Sequence, residues 1–167
     1  MDIKEFHEKC IYPAVRVRTD KAGGSGTIIY SKPKDDKSEE HRTFVLTNHH
    51  VIDSAVAVKE DWDSVLRKLV KKDFLSEVNV ESFTYVNVST VDTSNNHKAK
   101  ILAYDKSHDL AILELLSPRK YEYVAKLIAK ENISKLYLRT PVWCIGSSLL
   151  HDPICNYGFI TGMRETI

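Results

Sequence analysis

The sequence of 167 residues predicts an all-β fold, a barrel or sandwich of many short strands. Three observations carry that prediction. Short runs rich in β-branched and aromatic residues recur along most of the chain. Clusters of glycine, proline, asparagine, aspartate and serine punctuate them. Several runs alternate apolar with polar side chains, as a strand with one wet face must. With 43% apolar residues the chain is long enough for one good core or two small ones. Its 24 basic and 23 acidic side chains leave a formal net charge of +1, which gives no electrostatic case for nucleic acid or an anionic membrane surface as a partner.

Taken in order, Ile3, Phe6, Cys10 and Ile11 fall at helical spacing until Pro13 ends the pattern, which predicts a short N-terminal helix. Ala14–Thr19 alternates apolar with basic residues and reads as a strand. Gly23-Gly24-Ser25-Gly26 reads as a tight bend where backbone approaches backbone, leading into an apolar strand over Thr27–Tyr30. A phosphate cradle would need a helix directly after the glycines, and a strand follows instead. Ser31–Arg42 is charged, contains Pro33 and is expected to be an exposed hairpin loop.

Ser54–Val58 is a further strand. Trp62, Val65, Leu66, Leu69 and Val70 then keep the i, i+3, i+4, i+7, i+8 stripe of an amphipathic helix, which predicts one inserted helix over residues 61–73 with Arg67, Lys68, Lys71 and Lys72 facing water. Val78–Val91 reads as one or two strands and Thr93–Asn96 as a turn. Ala99–Tyr104 alternates as a strand, and Asp105–His108 is a polar bend. Tyr121–Leu138 is mixed and carries no firm assignment. Pro141–Gly146 and Asn156–Gly162 read as the two strands of a hairpin, across a polar loop holding His151 and Pro153.

Cys10, Cys144 and Cys155 are an odd count without metal-ligand spacing, and Cys144, inside Val-Trp-Cys-Ile, reads as a small core residue. The charged start lacks an apolar leader, and no stretch approaches the ~20 apolar residues of a membrane span. A reducing, cytoplasmic setting without disulfides or membrane association is therefore expected.

Two stretches stand out chemically. In Thr43–Asp53 an apolar strand is broken by Thr47-Asn48, and His49 and His50 follow before Val51 and Ile52 return to apolar surface. An imidazole at such a junction, between core and solvent, can take and give a proton near neutral pH. The same window fits an ordinary turn with two exposed histidines. Asp109 directly precedes the apolar run Leu110–Leu116, where a half-buried carboxylate needs hydrogen-bond donors; a simple turn cap is the alternative.

In order, Gly-Ser-Gly-Thr-Ile-Ile (24–29), Leu-Thr-Asn-His-His-Val-Ile (46–52), Asp-Leu-Ala-Ile-Leu (109–113), Val-Trp-Cys-Ile-Gly (142–146) and Gly-Phe-Ile-Thr-Gly (158–162) resemble the trypsin-like serine peptidases, closest to the bacterial Do-like (HtrA-type) branch. The resemblance implies a chymotrypsin-like double β-barrel: residues 1–120 as the N-terminal barrel, 121–140 as the connection, 141–167 as the first hairpin of an incomplete second barrel. It implies His50 as general base, with His49 in the variable slot, and Asp109 as the carboxylate that orients it. Asp105 lacks the following apolar strand.

The resemblance also implies a serine nucleophile, and here the sequence departs from the pattern. The family's Gly-Asn/Asp-Ser-Gly-Gly motif would lie beyond Ile167; Ser25 matches the first-barrel bend, and Ser147 and Ser148 match the loop after the second barrel's first strand. The expectation is thus a serine endopeptidase whose nucleophile and oxyanion hole lie outside this chain, which alone should be inactive. Its expected partners are a protein or peptide substrate and a remaining C-terminal fragment, or a partner chain, that covers apolar residues such as Val142, Trp143, Ile145, Phe159 and Ile160. The alternative is a non-catalytic barrel acting as a protein-binding module. A metal site of His49, His50, His108 and Asp109 fits poorly, because adjacent histidines at a strand end point apart; no cofactor is expected.

Overall fold

The computed structural model describes residues 2–147 and 150–163. Six strands close into a barrel in the order β1 (Ala14–Arg18), β2 (Gly23–Pro33), β3 (His41–Thr47), β8 (Leu110–Leu115), β7 (Val91–Asp105) and β6 (Val78–Tyr85), with β6 returning to pair with β1. All pairings in this barrel are antiparallel. Closure removes the free strand edges that an open sheet would present. Inside it, Val15, Val17, Ile28, Val45, Val80, Ala99 and Leu113 form a fully shielded core.

The glycine-rich run is strand rather than bend. Gly23–Gly26 lie in β2, paired with Val15–Arg18 of β1, and the chain turns earlier, where Thr19 N–H donates to Ala22 O at 2.8 Å. Glycine is required there by close approach: a Cβ on Gly24 would lie 2.5 Å from a Val51 methyl, and one on Gly26 2.8 Å from a Val17 methyl. The neighbours are side chains of the core, so these residues let the barrel close tightly rather than let the chain reverse.

The helix expected over 61–73 is a β-hairpin, β4 (Val56–Asp63) with β5 (Lys68–Leu75). The seven-residue spacing of Trp62 and Leu69 reflects their direct opposition across the two strands. The Asp63 carboxylate closes the turn by accepting the amides of Val65 and Leu66, each at 2.9 Å, and Arg67 takes φ 49°. Val56 at its start packs against the barrel core, but the ribbon beyond it is uncovered among the described residues: Val65 is 87% exposed. A helical stripe stabilises a helix only when another layer covers it, and here none does.

Thr93–Asn96 is likewise not a turn. These residues sit within β7, opposite Glu81–Thr84 of β6, and the reversal falls earlier, where Val86 N–H donates to Thr90 O at 2.9 Å. At the N-terminus, α1 (Ile3–Phe6) continues as a π-helical turn over His7–Ile11. Ser31–Arg42 covers the last residues of β2 and the first of β3, joined by a largely exposed loop over 34–40. The segment after β8 runs back along β2, where Ala125 N–H donates to Ile28 O at 2.8 Å, and then forms the single turn α3 (Lys130–Ile133).

A second hairpin, β9 (Pro141–Gly146) with β10 (Ile154–Phe159), stands apart from the barrel sheet. It is joined to it by Ser147 N–H donating to Ser25 Oγ at 2.8 Å, by the Arg16 guanidinium donating to Leu150 O, and by Phe6 against Trp143. Val142, Trp143 and Phe159 are exposed, and Cys144, expected in a core, is exposed too because its hairpin carries no covering layer. Among the described residues no helix is long and apolar enough to cross a membrane.

Candidate active site

The register of the barrel brings the two chemically distinctive stretches together. Strand β3 pairs with β8 so that Thr47 opposes Ala111. Continuing past the ends of that ladder, the residues after β3 meet those before β8, which places His49 and His50 beside Asp109. The chain after Asn48 coils into α2 (His49–Ile52), whose buried Val51 and Ile52 seat it on the core.

His50 and Asp109 meet through two hydrogen bonds. The His50 ring donates from Nδ1 to Asp109 Oδ2 at 2.7 Å, and the His50 amide donates to Asp109 Oδ1 at 2.9 Å. The amide bond above all, and the ring bond after it, hold the Asp109 carboxyl below the usual carboxylate range, so it is ionised at neutral pH. A carboxylate on Nδ1 fixes the imidazole proton there and leaves Nε2 as the acceptor. The His50 side chain is 71% exposed, and among the described residues nothing hydrogen-bonds its Nε2. The pair is therefore a base with its lone pair presented outward.

The other titratable groups nearby are engaged elsewhere. His49 is buried, tilted against the Tyr104 ring at 5.1 Å, with Nε2 3.6 Å from Asp53. Tyr104 in turn donates its hydroxyl proton to Asp73 on β5, tying that hairpin to the barrel beside the site. His108 bonds Asp105 at 2.6 Å within its own bend, and the Ser107 hydroxyl and this ring hold the Asp105 carboxyl far down. Of His49, His50, His108 and Asp109 only His50 and Asp109 bond each other, and no group of three or more histidine, cysteine, aspartate or glutamate residues that could hold a metal occurs among the described residues.

Neither Ser25 nor Ser147 hydrogen-bonds the pair. Ser25 Oγ accepts from Ser147 N–H, and Ser147 is fully buried; Ser148 lies outside the described residues. Thr47 and Asn48, which break the apolar strand, are residue types that commonly bond their own backbone. They bond other segments instead: Thr47 Oγ1 donates to Ser25 O at 2.8 Å, and Asn48 Nδ2 to Asp109 O at 2.9 Å. Nothing in the local pattern of residues announces those partners, because they come from strands distant in the chain.

Comparison with known proteins bears on the fold and the family. The sequence matches the family described as the trypsin-like peptidase domain over residues 24–166. The fold is similar to that of Deg5, with a TM-score of 0.63 at 16% identity, over 100% of this chain and 68% of that one. It is also similar to the apo protease domain of MamO from Magnetospirillum magneticum, with a TM-score of 0.54 at 16% identity, over 90% of this chain and 60% of that one. At such identity the structural likeness concerns the fold alone. A comparison with curated proteins gives no match.

Proposed function

The chain belongs to the trypsin-like peptidase domain family, and from that premise we propose that it supplies the base and orienting acid of a serine endopeptidase acting on protein or peptide substrates. The observation that carries the proposal is the 2.7 Å bond from His50 Nδ1 to Asp109 Oδ2 on a ring whose other nitrogen is open to solvent. A serine hydroxyl is a weak nucleophile until a base takes its proton. His50 Nε2 accepts that proton as the hydroxyl attacks the scissile carbonyl, and the imidazolium then returns it to the leaving amine. Asp109 holds the ring's tautomer and stabilises its charged form without itself becoming protonated.

The serine and the oxyanion hole belong, in this proposal, to polypeptide outside these residues, either continuous with this chain or a separate fragment. The exposed Val142, Trp143 and Phe159 of the second hairpin are the surface it would cover. Residues 141–163 are then the opening of the second barrel.

A fluorophosphonate that traps activated serines tests this. A longer polypeptide that completes the second barrel should be labelled, and His50→Ala should abolish labelling by about 10³-fold or more. Absence of labelling in every completed form would sink the peptidase reading and leave a protein-binding barrel.

A further inference from the structure

Asn48 occupies the N-cap position of α2, where an asparagine side chain ordinarily accepts a hydrogen bond from an amide two or three residues on. It makes no such bond. The amide of His50, two residues on, donates to Asp109 Oδ1 at 2.9 Å instead, and Asn48 Nδ2 donates to the Asp109 carbonyl at 2.9 Å. Two residues from opposite sides of the β3–β8 seam have thus exchanged partners. The Asp109 side chain caps the helix that Asn48 begins, and the Asn48 side chain holds the backbone of Asp109.

The second half of that exchange matters because Asp109 lies at φ 54°. Aspartate tolerates this left-handed conformation better than most residues with a Cβ, but it is uncommon even for aspartate and is held by local hydrogen bonds. Turned that way, Asp109 offers one carboxylate oxygen to the His50 amide and the other to the ring. Let the carbonyl go, and the backbone is free to relax to negative φ, which swings the carboxylate off the imidazole. The ring proton is then no longer held on Nδ1 and can reside on Nε2, the nitrogen that has to accept a proton.

We propose that Asn48 is a positioning residue: its carboxamide N–H, by gripping the Asp109 carbonyl, holds the left-handed turn that aims both carboxylate oxygens at His50. The inference rests on the reading of His50 as the base, yet its test requires no turnover. Imidazole nitrogen NMR of this chain should show the neutral His50 ring as the Nδ1–H tautomer, with a deshielded Nδ1 proton. Because Asp109 rather than residue 48 caps the helix, Asn48→Asp removes no cap bond, and thermal unfolding should show a folded protein whose midpoint falls only by the one hydrogen bond lost. The donor to Asp109 is lost, however, and the tautomer should shift toward Nε2–H with loss of the Nδ1 proton signal. Asn48→Ala should give the same shift.

An undiminished Nδ1–H tautomer in folded Asn48→Asp overturns the proposal. Should both variants fail to fold, the unaltered protein decides: the one Nδ2 proton that Asn48 donates to Asp109 O should exchange with water more slowly than side-chain amide protons that make no such bond, and exchange at that free rate overturns it. A shifted tautomer alongside a completed protein that never takes the fluorophosphonate keeps the clamp and removes only the peptidase reading.

Discussion

In the barrel, Val15, Val17, Val45 and Leu113 are sealed from water; in the β4–β5 hairpin, Val58, Trp62 and Leu69 remain more than half exposed. Both regions are antiparallel strands with apolar side chains, and their local ladders are equally regular. The difference is closure. Each barrel strand finds a neighbour on both edges and a common interior, whereas a two-stranded ribbon has neither and is at best marginally stable by itself. The β9–β10 hairpin lies between, fastened by Ser25 and Arg16 at one end and by Phe6 at Trp143, but open along Tyr157 and Phe159. Regular strand structure is thus no measure of where stability lies, and the candidate site sits at the end of a seam inside the closed barrel, β3 with β8.

The contrast can be tested most severely at Leu113, which is fully shielded in the barrel core. Leu113→Ala should cost about 2–5 kcal/mol in denaturant unfolding, transfer and cavity terms together; a cost under about 1 kcal/mol would mean the barrel is not the stabilising unit. Gly26→Ala comes next. Its new Cβ would sit 2.8 and 2.9 Å from methyls of Val17 and Val45, so overpacking should cost about 1–3 kcal/mol. An unchanged unfolding midpoint would show that β2 does not pass so close to β1 and β3.

Glu114 sharpens the comparison through pH. Its side chain, 9% exposed, takes a hydrogen bond from Arg42 and an ion pair from Lys100, and Arg42 above all pulls the carboxyl down to about 2 from an ordinary 4.5. A depressed carboxylate contributes stability that is fully present above the unfolded value and is lost as pH falls through the folded one. Glu114→Gln should therefore lower stability by about 1 kcal/mol at neutral pH, and the gap should close between 4.5 and about 2. A gap that stays constant into acid would assign the effect to packing. The smallest effect is expected in the ribbon: Leu69→Ala, at a residue 60% exposed, should change stability by no more than about 0.5 kcal/mol. A cost comparable to that at Leu113 would mean the hairpin is covered in solution.

Much of the barrel was legible in the chain because period-two alternation needs only near neighbours, as in Ala14–Arg18 and Lys98–Tyr104. The errors fell where one local pattern has two physical explanations. Trp62, Val65, Leu66 and Leu69 satisfy a helical stripe and also a hairpin centred on its turn, and nothing nearby chooses between them. Thr93–Asn96 has turn chemistry, but the β6 ladder outweighs that preference. His50 and Asp109 were nameable from motif order, and Asn48 was visible only as a strand breaker, since its partner arrives from 61 residues away.

By itself the sequence determined the all-β character, the recurrence of short strands, and that histidines and an aspartate stand at strand ends, since these depend on residue type and order along the chain; the choice of His50 over His49 came from the family resemblance. Tertiary structure alone decided that Asp109 reaches His50 with both oxygens, that Asn48 releases its own helix to hold that aspartate, and that the 61–73 stripe folds as a ribbon. Those outcomes depend on register between distant strands and on which faces find a covering layer, and both are fixed only when the barrel closes.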